Sequence, residues 1–250
     1  MKSKVSKQEK KRLIENRSMQ ILRFLNLRVK NSNLVDQLEI VLRLYKYVVQ
    51  NVFPEEQVFD GVAEDTKQEE YLSNLYRGVM KNPGDQTTNA ILFNHLLYMK
   101  GFDTHIILAR SKNGTPHVAN IARIGKEYFF FDTTLERSIY EEQGENPDEM
   151  LFCCAALGKE DFNRFYTPVE VLNDDLDKPA VPFPTAMAEE SMPRQLVDSV
   201  VKLIPDLSIE HNPEFDRFAL EQTTPVITLP FKKKSKSRPE DREREREDWC

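Results

Sequence analysis

An α+β fold is predicted, because the hydrophobic period changes once along the chain. Through most of the first half, apolar residues recur at helical spacing. From Thr104 they give way to short runs of β-branched and aromatic residues separated by turns. This order implies helices first, packed on an antiparallel sheet of three or more strands, rather than alternating βαβ units.

The first element is a charged start. Residues 1–18 are rich in Lys and Arg with little periodicity, and the reading is a basic, frayed tail. Asn33 is a good N-cap, and Leu34, Leu38, Val41, Leu42, Tyr45, Val48 and Val49 follow at the spacing of one buried helical face. That helix should end near Asn51. Phe53 to Gln68 is polar and acidic, with Pro54 and Gly61, as suits a surface connection; a second helix is expected from about Gln68 to Met80. The turn Asn82-Pro83-Gly84-Asp85 then opens a third helix. It carries Ala90, Phe93, Leu97 and Met99 and stops at Lys100-Gly101.

Three strands are expected next, at Thr104 to Arg110, His117 to Ile124 and Glu127 to Leu135. If Gly125-Lys126 is a two-residue hairpin loop, Ile124 lies opposite Glu127 and His117 opposite Thr134. Asp132 then shares the face of His117 as its diagonal neighbour, at roughly 7–8 Å between backbones. A His/Asp pair on one sheet face is therefore predicted. Met150 to Leu157 reads as a further strand, and Lys159 to Phe165 as a short helix ending before Pro168. Four prolines, Pro179, Pro182, Pro184 and Pro193, mark an extension with one short helix over Arg194 to Ile204. Thr223 to Phe231, with Val226, Ile227 and Leu229 between prolines, suits an edge strand packed back on the domain or a segment that binds a partner's groove. The charged block Lys232 to Cys250 buries nothing and should remain disordered or a solvated helix. The expected division is a basic tail over 1–18, a folded domain over 19–172, the extension over 173–231 and the charged tail over 232–250.

Composition excludes several classes of function. The 250 residues are 40% hydrophobic and 10% aromatic, enough for one sizeable core. A net charge of −6, from 35 basic and 41 acidic side chains, gives no cationic field for nucleic acid. No apolar run approaches the roughly 18 residues of a membrane span, and no secretory core follows the basic start; a cytoplasmic protein is expected. The three cysteines, Cys153, Cys154 and Cys250, form no disulfide framework and show no metal spacing. No metal or cofactor is expected.

The strings Leu75-Tyr76-Arg77-Gly78-Val79-Met80, Pro83-Gly84-Asp85-Gln86-Thr87-Thr88-Asn89-Ala90, His117-Val118-Ala119-Asn120 and Phe131-Asp132-Thr133-Thr134 carry a resemblance. In this order they resemble bacterial transglutaminase-like domains of the papain-like cysteine class, over more than half of the chain. Met150 to Tyr166 is similar to the strand and helix that commonly follow there. The resemblance implies a papain-like fold with a nucleophile at the head of a helix, a His base and an orienting Asp. Here the base and orienting positions fall on His117 and Asp132, and the nucleophile position on Gln86.

A thiol at a helix start beside an imidazole is activated by the helix dipole and the neighbouring base. A carboxylate behind the imidazole fixes its tautomer. Glutamine is neither ionisable near neutral pH nor a useful nucleophile, so catalysis by this mechanism should be absent. Thr87 and Thr88 are adjacent, but one helical step turns a side chain by about 100° away. Cys153 and Cys154 lie inside an apolar run and read as buried core residues. The aromatic residue usual two positions after the His is Ala119, which would thin one wall of a groove bounded also by Asp85, Thr87 and Asn120. His117 and Asp132 also suit a simple structural pair holding two strands in register. His95 and His105 read as structural or surface residues. The expected function is a catalytically silent module binding a protein or peptide. A hydrolase or acyl transferase using His117 and Asp132 with another nucleophile is the competing class, and a structural subunit of an assembly a third.

Overall fold

The computed structural model describes residues 6–27, 33–52, 67–80, 86–142, 150, 152–172 and 180–207. Asp85, Thr223 to Phe231, His211 and the charged block from Lys232 lie outside them. The helices are α1 (Lys7–Phe24), α2 (Leu34–Asn51), α3 (Lys67–Val79), α4 (Gln86–Met99), α5 (Thr133–Glu142), α6 (Lys159–Phe165) and α7 (Arg194–Val201). The strands are β1 (Thr104–Ser111), β2 (Pro116–Ile124), β3 (Glu127–Phe131) and β4 (Tyr166–Val171). They form one antiparallel sheet in the order β3-β2-β1-β4, so the fold is α+β. Among the described residues no helix is long and apolar enough to cross a membrane.

The helical layer is organised around α2. Asn33 caps it by accepting from the Asp36 N–H. Leu38, Val41, Leu42, Tyr45, Val48 and Val49 are fully buried as expected, while Leu34 at the helix start is exposed. Ile40, Leu44 and Tyr47 on the other sides are buried as well. A helix buried around most of its girth must be surrounded, and α2 contacts α4, α5, α7 and β2.

The basic start is not a frayed tail: α1 runs from Lys7 to Phe24. Ser6 caps it, Ile14, Ser18 and Ile21 are buried, and the cationic side chains reach outward, Lys7 to Glu69 and Lys10 to Ser73 of α3. The few apolar residues sit one or two turns apart on one face, and this sparse stripe is hidden among the charges.

The sheet separates two cores. Val118, Ala122, Ile124, Phe129 and Phe131 pack with the α2/α4 side. Ala119, Ile121, Ile107, Ala109, Phe130 and Phe162 form a second cluster on the opposite face. The β2–β3 hairpin has the expected register, from Ile124 opposite Glu127 to Asn120 opposite Phe131. Gly125 supplies the left-handed turn at φ 65°.

Two expectations about strands fail. β3 ends at Phe131 instead of reaching Leu135, because Asp132 caps a helix there. The run after Met150 is a loop, with Phe152 at φ 52° and Ala156 at φ 56°. Among its described residues Leu157 bridges to the sheet, exchanging backbone hydrogen bonds with Phe130. The fourth strand is β4, directly after α6, with Pro168 on this edge strand beside a register shift, a place where proline is tolerated.

The extension docks on the domain. Tyr128 donates to Ala186 O and Ala188 donates to Tyr128 O, covering the open edge of β3, and α7 packs on α2. Covering an edge in this way removes a template for wrong pairing.

Candidate functional site

Asp132 is the residue around which the site is built. It leaves β3 and begins α5, and its Oδ1 accepts the Leu135 N–H at 2.9 Å. A carboxylate at a helix start satisfies an orphan donor and meets the positive end of the dipole. Its Oδ2 lies 2.6 Å from His117 Nε2, and the aspartate is only 1% exposed. The Asp132 N–H donates to Cys154 O, and its carbonyl accepts from the Tyr45 hydroxyl at 2.8 Å. Every polar group of this residue is thus engaged.

His117, near the start of β2, is held on a second side by a ring. Tyr166 stacks on it with centroids 4.2 Å apart and planes 4° from parallel. Tyr166 in turn touches Phe162, which stacks on Phe130. Burial, then the charge of Asp132, push the Tyr166 phenol well above its ordinary pKa, so it remains a neutral donor near Asp132. With the imidazole fixed between Asp132 and Tyr166, its Nε2 is committed to the carboxylate. His117 Nδ1 has no hydrogen-bond partner among the described residues.

Neither family models nor curated proteins match this chain. Among solved structures it is similar to calcium-bound LapG of Legionella pneumophila, at 18% sequence identity and a TM-score of 0.37, covering 74% of this chain and 98% of that one.

Of the residues singled out from sequence, the structure joins His117 to Asp132. Gln86 is the first residue of α4, with Thr87 half-buried next to it. α4 packs on the β2 face opposite that of Ala119, through the hydrogen bond from Asn120 Nδ2 to Ala90 O at 3.0 Å. The side chain of Gln86 lies outside the described residues. Ala119 and Asn120 are buried, at 1% and 0% exposure, and line no open groove. The reason is local: Ala119 is capped by the Phe130 and Phe162 cluster, and Asn120 is clamped under α4. His95 is structural, bonded to Ser18 of α1, and burial lowers its pKa to about 4. His105 pairs with Asp103 at 3.3 Å.

The cysteines depart from expectation. Cys154 is buried but Cys153 is exposed, because the pair sits in a turn and not in a strand. Both line a cleft of about 540 Å³ with Leu135, Ile139, Phe165 and Tyr166. Behind them lies Glu136, 1% exposed, whose Oε2 accepts from the Cys154 N–H at 2.7 Å and from Tyr45 at 3.3 Å. Burial raises the Glu136 pKa despite those hydrogen bonds.

Tyr45, Glu136 and Tyr166 are the site residues that the sequence did not reveal. A signal for Glu136 exists, since Asp132-Thr133-Thr134-Leu135-Glu136 reads as an N-cap with an acid in the first turn. Tyr45 and Tyr166 have no local signal, for their roles depend on long-range packing.

Proposed function

We propose that the chain is a catalytically silent, transglutaminase-like module that binds a protein or peptide, with His117 and Asp132 as the retained base and orienting residues and Gln86 at the nucleophile position. The observation that carries this is the 2.6 Å contact between His117 Nε2 and Asp132 Oδ2, with no hydroxyl or thiol bonded to the ring among the described residues. The carboxylate holds the imidazole with Nε2 protonated, leaving Nδ1 as the basic atom. In an active enzyme that atom would take a proton from a nucleophile. Here Gln86 offers only an amide, which supplies neither lone-pair reactivity nor a transferable proton near neutral pH. What remains is a rigid polar pair beside a cleft of about 540 Å³, a surface suited to recognition.

The test is Gln86→Cys in the full chain, followed by iodoacetamide labelling near pH 6 to 7 and mapping of the modified residues by mass spectrometry. If residue 86 holds the nucleophile position beside His117, a thiol there should be deprotonated below the ordinary cysteine pKa of about 8.5. It should therefore label faster than Cys250, and adding His117→Ala should slow it. Labelling no faster than Cys250 would show that Gln86 does not occupy the nucleophile position.

A further inference from the structure

We propose that Cys153, Cys154 and Glu136 bind one divalent thiophilic metal ion of the zinc type, independently of the reading of Gln86 and His117. The three side chains present ligand atoms that all lie within 4.8 Å of one another. The two sulfurs are 3.8 Å apart. Two thiolates each about 2.3 Å from a tetrahedral metal ion are themselves separated by about 3.8 Å, so the sulfurs already stand at the edge length of such a site.

The local backbone is what makes this possible. In a strand, adjacent side chains point to opposite faces. Phe152 instead takes φ 52°, and the following turn brings Cys153 and Cys154 to one side. Glu136 reaches the same point from the first turn of α5 and is anchored there by the Cys154 N–H and the Tyr45 hydroxyl. Outer partners of this kind orient a ligating carboxylate.

Both thiols and the Glu136 carboxylate face the same point, with the two sulfurs 3.8 Å apart. A bound dication would release the thiol protons to solvent as the thiolates form. Sulfur ligands favour zinc-like ions over calcium or magnesium. Cys153 is exposed and opens on the cleft, which leaves a fourth position for water or a ligand atom. Lys112 and Arg164 also line the cleft.

The experiment uses the reduced full-length chain titrated with Co2+ and then Zn2+. One equivalent of Co2+ should give the visible absorption of a tetrahedral site with a thiolate-to-cobalt charge-transfer band, and Zn2+ should abolish both. Cys153→Ser, at an exposed position, should keep the wild-type melting curve in the absence of metal yet weaken binding on the order of 100-fold. Glu136→Gln should retain the charge-transfer band with weaker binding, and Cys250→Ser should change nothing. Absence of stoichiometric cobalt binding, or a tetrahedral spectrum that survives Cys153→Ser or Glu136→Gln at full affinity, would overturn the assignment.

Discussion

Replacing Asp132 by alanine tests how the site is held together. The substitution removes two interactions of one carboxylate: the cap on α5, where Oδ1 accepts the Leu135 N–H, and the 2.6 Å bond to His117. Loss of an N-cap costs about 0.5–2 kcal/mol. Leaving a buried partner such as His117 unsatisfied costs about 1–3 kcal/mol. The sum is roughly 2–5 kcal/mol, and in a chain of this size each 1 kcal/mol moves the melting temperature by about 2–4 °C. Asp132→Ala should therefore melt roughly 4–20 °C below wild type by circular dichroism. Asp132→Asn keeps an oxygen for the cap and can donate its amide to neutral His117, so it should lose less than half as much. That exchange of donor and acceptor also switches the ring tautomer: Nε2 carries the proton in the wild type and Nδ1 in the asparagine variant. Nitrogen NMR of the imidazole reads this directly. A melting temperature for Asp132→Ala within about 2 °C of wild type, or an unchanged tautomer in Asp132→Asn, would refute the account of Asp132 as the shared anchor.

His95 sets an acid limit to stability. Its pKa in the fold is about 4, against an ordinary 6.5, so the unfolded chain binds the extra proton between those values and stability falls as pH drops through that window. The loss reaches at most about 3 kcal/mol, and His95→Gln should flatten it; parallel stability curves for both proteins between about pH 6.5 and 4 would disprove it. Gly158 precedes α6 and faces the backbone of the extension. A Cβ there would lie 2.3 Å from Glu190 C and 2.5 Å from Glu189 O. Its φ of −80° suits alanine, so chain entropy alone would favour the substitution. The clash should decide the sign, since retreat of the extension strains the hydrogen bonds from Lys159 N to Ala188 O and Glu160 N to Glu189 O. Gly158→Ala should lose about 2–4 kcal/mol in denaturant unfolding, and an unchanged or raised stability would show that the extension is not docked there.

The parts of the fold legible in the sequence are those with a strong local period. α2 and α4 carry their own apolar pattern and caps, and the β2–β3 register follows from a two-residue turn at Gly125. α1 was hidden because Ile14, Ile21 and Leu25 are a thin stripe among many charges, and burial depends on α3 and α4 being present. The loop after Met150 was misread because its residues are apolar for tertiary reasons. Phe152, Cys154 and Ala156 are all buried, yet two of them sit at positive φ, which no hydrophobic pattern reveals. The His117–Asp132 contact was legible only because register arithmetic reaches one residue past the end of β3. The stacking of Tyr166 needs β4, a strand whose burial alternates around a proline and which reads as a helix exit.

The loop from Phe152 to Leu157 joins the two candidate sites mechanically. Cys154 gives its carbonyl to the Asp132 N–H and its own N–H to Glu136, while Tyr45 bonds both Asp132 O and Glu136 Oε2. Asp132 and Glu136 lie one helical turn apart on α5, so the Tyr45 hydroxyl and the Cys154 peptide bracket the first turn of that helix from two sides. A ligand that fixes the two thiols must also fix the Cys154 peptide, and with it the backbone of the residue that orients His117. Such coupling needs no contact between the ligand and the imidazole, only a shared rigid peptide between them. It also explains why the loop is apolar and yet irregular. A strand at this position would place Cys153 and Cys154 on opposite faces.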